Sequence, residues 1–179
     1  AESGAGSFDF YRFVRPRRGP LQGEPWPIPG RIEAEYYDIG GSFDLSPGND
    51  GQMFRWDGVD LWDDRTGHDP SGTYLVYATE PGEWLEYTFD AGAGGPGSIE
   101  LGYATALDNR TLSLEIDGVV LASQIPLSNT NGWGQLFPPF GPSTWSSATV
   151  AGFNFDAGVH TLRVIFDNGS VNLDYLELH

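Results

Sequence analysis

Residues 82–89 read GEWLEYTF, and their alternation indicates the kind of fold that this chain adopts. The large apolar side chains of Leu85, Tyr87 and Phe89 occupy every second position. They alternate with Trp84, Glu86 and Thr88. Because successive side chains of a β-strand point to opposite faces, this pattern predicts a strand with one buried face and one solvated face. Residues 111–117 and 161–166 show the same period, so we expect antiparallel partners in a sheet.

Seven further segments have the composition of strands, and turn signals separate them. Pro-Gly at 81–82, Asp-Gly at 117–118 and Asn-Gly at 168–169 are typical of tight turns. The predicted strands are residues 31–38, 52–56, 74–78, 98–106, 119–125, 148–155 and 171–178. No stretch has a convincing helical stripe, so about ten strands after residue 30 predict an all-β fold. We expect a two-sheet β-sandwich of jelly-roll topology.

The charge is unevenly distributed along the chain. Residues 1–29 hold four Arg and three acidic residues, a net charge of +1, whereas residues 30–179 hold five Arg and 22 acidic residues, a net charge of −17. The stretch from 15 to 30 is rich in Pro and Gly, which is typical of a linker. We therefore predict that residues 1–29 are a linker or the remnant of a preceding module, and that residues 30–179 form the folded module.

Composition excludes several classes of function. The 179 residues carry a formal net charge of −16, which repels phosphate backbones, so we expect no nucleic-acid partner. No apolar run approaches the ~18 residues of a membrane-spanning helix, so we expect no membrane partner. The chain has no Cys, which excludes disulfides, thiolate zinc sites and Cys nucleophiles. These features fit a secreted, extracellular protein, and we expect a monomer.

Two pairs of polar residues have the spacing of a metal site. On a strand, residues i and i+2 face the same way, so the predicted strand 31–38 brings the carboxylates of Glu33 and Glu35 to one side. Asn172 and Asp174 share a side of the last predicted strand in the same manner. Clustered carboxylates repel one another unless a cation lies between them, and hard oxygen ligands suit Ca²⁺. The spacing alone also fits acidic side chains on the solvated face of an edge strand.

Six segments, taken in order, resemble a family 6 carbohydrate-binding module. The resemblance covers about residues 30–179. The matching segments are IPGRIEAEYYD at 28–38, PGNDGQMFRWDGVDL at 47–61, GEWLEYTF at 82–89, IPLSNTNGWGQ at 125–135, AGVHTLRVIF at 157–166 and VNLDYLEL at 171–178.

The resemblance implies a β-jelly roll without catalytic machinery. It implies a structural Ca²⁺ held by Glu33, Glu35 and Asp174, completed by a backbone carbonyl near Arg55. It also implies a sugar site in the loops at one end of the sandwich. There, two aromatic side chains clasp a sugar ring and an Asn of the last strand hydrogen-bonds its hydroxyls.

The residues that match this sugar site are Trp133, Tyr77 and Asn172. Trp133 corresponds to the second aromatic and Asn172 to the amide, whereas Tyr77 corresponds to the first aromatic once one extra residue is allowed in YATEPGEW. The stretch 136–144 is longer than the family's usual loop, and it brings Phe137, Phe140 and Trp145 near the expected site. The resemblance implies a xylan, β-glucan or agarose type of ligand and an attached glycoside hydrolase that the module targets to its substrate.

Two other classes of function remain as alternatives. A β-sandwich glycosidase is the first, because Glu115-Ile-Asp117 is similar to the start of the E-x-D-x-x-E signature of laminarinase-type hydrolases. Retaining hydrolysis needs a second carboxyl, and the residue at that position is Val120. The second alternative is a non-catalytic adhesion or protein-binding sandwich, which predicts that Trp133 has no effect on sugar binding.

Overall fold

The computed structural model describes residues 18–46, 54–55, 57–63, 74–134 and 145–179. Twelve strands lie in these residues, together with one 3₁₀ turn at Ala34–Tyr36. The strands are β1 (Trp26–Pro27), β2 (Gly30–Glu33), β3 (Ser42–Phe43), β4 (Leu61–Asp63), β5 (Tyr74–Val76), β6 (Glu83–Asp90), β7 (Gly95–Ala104), β8 (Arg110–Ile116), β9 (Val119–Leu127), β10 (Ser146–Phe155), β11 (Val159–Phe166) and β12 (Asn172–Leu178). Among the described residues, no helix is long and apolar enough to span a bilayer.

The strands form two six-stranded sheets, which confirms the predicted β-sandwich. The first sheet has the order β1-β6-β11-β8-β9, with β3 also paired to β6. The second has the order β10-β7-β12-β5-β4, with β2 also paired to β12. β12 lies at the centre of the second sheet, where it pairs with β7 on one side and with β5 and β2 on the other.

The three segments with the clearest alternation are neighbours in the first sheet. β11 pairs antiparallel with β6 over its whole length and with β8 over five residues. Their alternate apolar side chains, Leu85, Tyr87, Phe89, Leu112, Leu114, Leu162, Val164 and Phe166, are all buried in the core between the sheets. Burial of each such side chain contributes roughly 1.5–3 kcal/mol, which is why period two is a reliable signal here.

Two predicted strands differ from the structure. The strand predicted over 31–38 ends at Glu33, because Ala34–Tyr36 turn as a 3₁₀ helix whose first carbonyl, that of Ala34, accepts a hydrogen bond from the Tyr87 hydroxyl at 2.8 Å. Most of the strand predicted over 52–56 lies outside the described residues, and Phe54 within it is in a turn.

Part of the predicted linker packs on the sandwich. β1 pairs parallel with the end of β6, and Gly19 forms a bridge with Ile39. Trp26 also contacts the core and meets Tyr36 edge to face, with ring centroids 5.8 Å apart. The described chain therefore contributes to the fold from about residue 18, whereas the assignment of residues 1–29 to a linker or a preceding module stays a prediction.

Candidate functional site

A cleft of about 400 Å³ opens at one end of the sandwich. Three loops form it: the one between β5 and β6, the one that follows β9, and the one that precedes β12. The lining residues are Tyr77, Ala78, Thr79, Glu80, Trp133, Ser170 and Asn172. The structure thus brings together Tyr77, Trp133 and Asn172, which are far apart in the sequence.

Trp133 presents its indole to solvent at the mouth of this cleft. Its exposed fraction is 39 %, and among the described large aromatic side chains only Phe43 is similarly exposed, whereas seven are buried in the core. The loop before it is anchored by Thr130, whose backbone N–H donates to the Thr105 carbonyl at 2.8 Å and whose hydroxyl accepts from Thr105 N at 3.0 Å. A ring held in this way by a fixed loop has little ordering cost on binding, which favours a contact role.

Gly134 sets the direction of the chain after the indole. Its φ of +77° lies in the left-handed region, and a Cβ placed there would overlap the ring of Trp145. Only glycine lets the Trp145 ring approach the backbone this closely, so Gly134 and Trp145 fix one side of the loop.

Asn172 lies at the base of the cleft and holds the Trp133 loop. Its exposed fraction is 4 %, and its Nδ2 donates to the backbone carbonyl of Trp133 at 2.7 Å. A side-chain amide has two N–H donors and one carbonyl acceptor, so one N–H and the Oδ1 atom remain for other partners. Asn172 therefore positions the indole and also lines the space beneath it.

Tyr77 forms the opposite wall, just after β5. Its half-buried ring meets Trp62 edge to face, with centroids 5.6 Å apart and an interplanar angle of 77°. Its backbone N–H donates to the Asp60 carbonyl at 3.0 Å. The next residue, Ala78, has a φ of +53°, and Ser170 across the cleft has a φ of +56°. Such conformations cost ~1–3 kcal/mol each in residues other than glycine, and they tend to cluster at binding sites.

Thr79 joins the two walls. Its hydroxyl donates to the Val171 carbonyl at 2.8 Å and accepts from Val171 N at 3.0 Å, while its own carbonyl accepts from Ser170 N at 2.6 Å. Because Thr79 and Val171 are buried, these bonds are protected from water. The loop after β5 and the loop before β12 are thereby held as one unit.

Carboxylates shape the electrostatics of this end. Glu80 lines the cleft and accepts a hydrogen bond from the Ser46 hydroxyl. Behind it, the buried carboxylate of Glu83 accepts from Leu45 N at 2.9 Å and from Glu80 N at 2.8 Å. Burial raises the pKa of Glu83 and that of Asp44 above their usual range, and the charge of Glu80 adds to both shifts.

The residues predicted to hold Ca²⁺ lie in a second region, where β2, the 3₁₀ turn and β12 meet. Glu33 ends β2 and Glu35 lies in the 3₁₀ turn, so the two are not residues i and i+2 of one strand, as the sequence predicted. Glu35 and Asp174 are each 2 % exposed. One carboxylate oxygen of each of the three residues is shielded from solvent: Glu33 Oε2, Glu35 Oε2 and Asp174 Oδ1.

Arg31 lies among these acids. Its Nε is 3.0 Å from Glu33 Oε1, its Nη2 is 3.6 Å from Asp174 Oδ2, and its guanidinium covers the ring of Tyr175 at 3.6 Å. Within the described part of the chain, no group of three or more His, Asp or Glu side chains converges as a metal site. Glu35 and Asp174 are buried oxygen donors of the type that suits Ca²⁺, whereas Glu33 is partly exposed, and Arg31 pairs with both Glu33 and Asp174.

Arg55 supports this region through its side chain. The guanidinium is buried, donates to the carbonyls of Glu35 (3.2 Å), Asp38 (3.3 Å) and Tyr37, and pairs with Asp57 at 2.7 Å. It fastens the segment that carries Glu35. The predicted metal contact of the backbone carbonyl near Arg55 stays a prediction.

Sequence reasoning missed Thr79, Glu80 and Ser170 as parts of the cleft. Their neighbours in the sequence give no periodic or compositional signal, because all three lie in loops that meet only in the folded chain. The Gly169-Ser170 turn and the extra residue in YATEPGEW were the available hints that both loops have special geometry.

Solved carbohydrate-binding modules of families 6 and 35 have the same two-sheet fold as this chain. The family model described as "Carbohydrate binding module (family 35)" matches residues 55–178. The chain therefore belongs to carbohydrate-binding module family 35, which is closely related to family 6, so the resemblance given above is supported. No curated protein matches the chain in sequence.

Solved structures with the same fold come from both families. The family 6 module CsCBM6-3 of Clostridium stercorarium, in complex with cellobiose, has a TM-score of 0.60 at 20% identity and covers 87% of this chain and 97% of its own. A β-1,3-glucan-binding family 6 module of Bacillus halodurans has a TM-score of 0.60 at 16% identity, with coverages of 87% and 99%. A family 35 module of Paenibacillus barcinonensis has a TM-score of 0.54 at 20% identity, with coverages of 84% and 98%. At these identities the similarity establishes the fold.

Proposed function

We propose that this module binds a plant or algal β-linked polysaccharide, of xylan, β-glucan or agarose type, in the cleft between Tyr77 and Trp133. The two rings stack on a sugar, and Asn172 hydrogen-bonds its hydroxyls. The observation that carries the proposal is the exposed indole of Trp133 beside the buried amide of Asn172 in one cleft. The cellobiose complex and the β-1,3-glucan binding of the two family 6 modules support the general class of ligand.

The chemistry of the cleft suits a pyranose. The ring of such a sugar has apolar C–H faces and a polar rim, so an aromatic face buries the C–H patch while fixed donors and acceptors contact the hydroxyls. Burial of about 100 Å² of apolar surface contributes roughly 2–3 kcal/mol before ordering costs. We therefore expect dissociation constants of about 10 µM to 1 mM for short oligosaccharides.

Such weak binding is useful when the module is attached to another domain. We propose that the full-length protein is secreted and carries a glycoside hydrolase module, which this chain keeps near its insoluble substrate. Repeated sites on a long polymer raise the effective concentration of the attached domain without further contacts. The module itself contributes binding, as expected from the non-catalytic modules that share its fold.

Isothermal titration against a panel of xylo-, cello-, laminari- and agaro-oligosaccharides tests the site. Trp133→Ala is expected to lower the affinity by at least ~30-fold, which corresponds to the loss of ~2 kcal/mol of stacking. Val119→Ala, an exposed apolar residue of the β8–β9 hairpin at the opposite end of the sandwich, is the matched control and should bind as wild type. Equal affinity of Trp133→Ala and wild type for every ligand that binds would refute the proposed site.

We also propose a structural Ca²⁺ held by Glu33, Glu35 and Asp174 and by a backbone carbonyl near Arg55. The proposal is supported by the family resemblance, by the oxygen donors and by the burial of Glu35 and Asp174. The ion would stabilise the fold, since its charge offsets the cost of placing carboxylates together in a buried region. Because Arg31 pairs with two of these acids, loading would require the guanidinium to move toward solvent.

Thermal unfolding with and without chelator tests the metal. With Ca²⁺ at 100 times its Kd the folded state gains ~2.7 kcal/mol, so the Tm should rise by several degrees. Arg31→Gln should increase the Ca²⁺ affinity, because it removes the competing cation. An unchanged Tm in chelator, together with no metal in elemental analysis of the purified protein, would contradict the proposal.

A further inference from the structure

We propose that Glu80 is a specificity-determining residue that makes the cleft select uncharged sugars and reject uronates. The inference rests on the proposed sugar site and names the substrate class of that site. Glu80 is the charged side chain among the described residues that line the cleft, and it shares the cleft with Tyr77 and Trp133. A ligand that stacks between these rings is therefore within reach of its carboxylate.

One hydrogen bond holds the carboxylate of Glu80 and another holds its backbone. Ser46 donates its hydroxyl proton to Glu80 Oε2, and the backbone N–H of Glu80 donates to Glu83 Oε2 at 2.8 Å. A carboxylate has about four acceptor positions, so the bond from Ser46 leaves others for the ligand. Sugar hydroxyls are donors that fill such positions, and a hydrogen bond to an ionised acceptor is roughly twice as strong as a neutral one.

A carboxylate on the ligand meets the opposite situation. Glu83 lies directly behind Glu80, is 5 % exposed, and has its two oxygens already occupied by Leu45 N and Glu80 N. Asp44, partly buried, is close enough for its charge to raise the pKa of Glu83. A uronate would add one more negative charge beside these three acids, of which Glu83 is buried and Glu80 and Asp44 are half-buried, and like charges at this range repel.

The described arginines that could offset these acids lie elsewhere, and the first of them, Arg18, packs beside Gly40. In the described part of the chain, Arg31 pairs with Glu33, Arg55 with Asp57, and Arg163 with Glu86. The guanidinium of Arg110 donates to the backbone carbonyls of Asp108 and Asn168. The charge of Glu80 consequently acts on the ligand without a described arginine beside it, and a repulsion of about tenfold in affinity (~1.4 kcal/mol) is expected for a carboxylate at contact range.

Matched pairs of ligands test this inference by titration. The neutral probes are cellotetraose, laminaritetraose and xylotetraose, and the charged probes are the same oligosaccharides carrying one uronate. Wild type should prefer the neutral member about tenfold, and the preference should shrink in 1 M salt because charge repulsion is screened. Glu80→Gln should reduce it to about twofold or less, whereas Glu80→Asp, which keeps the charge, should retain most of it.

Glu177→Gln is the control for net charge. It removes the same unit of charge from β12, five residues from Asn172 and away from the cleft, and should leave the preference unchanged. If Glu80→Gln keeps the wild-type preference while Trp133→Ala loses neutral binding, the role of Glu80 is wrong and the sugar site stands. A wild-type preference for the uronate also overturns the proposed role of Glu80.

If Trp133→Ala binds like wild type, or no neutral probe binds, the proposed sugar site is wrong as well. Equal Tm values for the variants exclude misfolding as the cause.

Discussion

Thr79→Val tests whether one buried hydroxyl joins the two walls of the cleft. The substitution keeps the shape of the side chain and removes the oxygen that bonds the N–H of Val171 at 3.0 Å and its carbonyl at 2.8 Å. Both backbone groups lie in a residue with no exposed surface. A buried polar group that loses its partner costs about 1–3 kcal/mol, so the free energy of unfolding should fall by ~2–4 kcal/mol.

Differential scanning calorimetry gives the readout. In a domain of this size 1 kcal/mol corresponds to ~2–4 °C, so the Tm should fall by roughly 5–15 °C. Thr149→Val, at an exposed position of β10, is the matched control and should change the free energy of unfolding by less than ~0.5 kcal/mol. A Thr79→Val protein whose Tm lies within ~2 °C of wild type would show that the walls are held by other contacts.

Two further predictions concern other parts of the fold. Gly134→Ala should lower the free energy of unfolding by ~2–4 kcal/mol in chemical denaturation, because the new Cβ overlaps Trp145. Gly118 has the same φ of +77° with open space around it, so Gly118→Ala should lower it by only ~1 kcal/mol. Equal decreases in the two variants would contradict the clash. The hydrogen bond that the protonated His160 Nδ1 donates to the Asp117 carboxylate raises the pKa of His160. The pair therefore stabilises the fold below pH ~6.5, and this contribution is lost as the pH rises through the raised pKa. Because Asp117 is about half exposed, the pair should contribute less than ~1 kcal/mol to the free energy of unfolding. His160→Gln should remove this pH-dependent contribution. If wild type and His160→Gln show the same dependence of stability on pH, the pair is not its source.

The long strands of the first sheet could be predicted because each buries an alternating set of side chains. β6, β8 and β11 have five to eight residues of regular alternation, and the burial of Tyr87 or Val164 follows from sequence position alone. Strands of two or three residues, such as β1 and β3, are too short for any period to show. They exist because β6 offers them a partner, which is a property of the folded sheet.

The end of β2 could not be predicted for a related reason. The alternation in RIEAEYYD at 31–38 is as regular as that in many true strands. The turn at Ala34–Tyr36 is held by a hydrogen bond from Tyr87, which lies 53 residues after Ala34. Likewise, Trp133 and Asn172 were found through the resemblance to a known family, whereas Glu80 and Ser170 lie in the cleft only because Thr79 joins their two loops. Loop contacts of this range have no signature in local sequence.

An irregularity in β12 explains how one central strand serves two regions. Its pairing with β7 shifts register between Leu173 and Tyr175, so Asp174 is the extra residue of a β-bulge. The simple rule that Asn172 and Asp174 share a face therefore does not hold through this point. Asn172 reaches the Trp133 loop beyond β9, whereas Asp174 lies toward Arg31 on β2, the strand that pairs with the other edge of β12. Without the extra residue, Asn172 and Asp174 would point to the same face of the sheet. The strand could then place either the amide beneath the indole or the buried carboxylate beside Glu33, but not both.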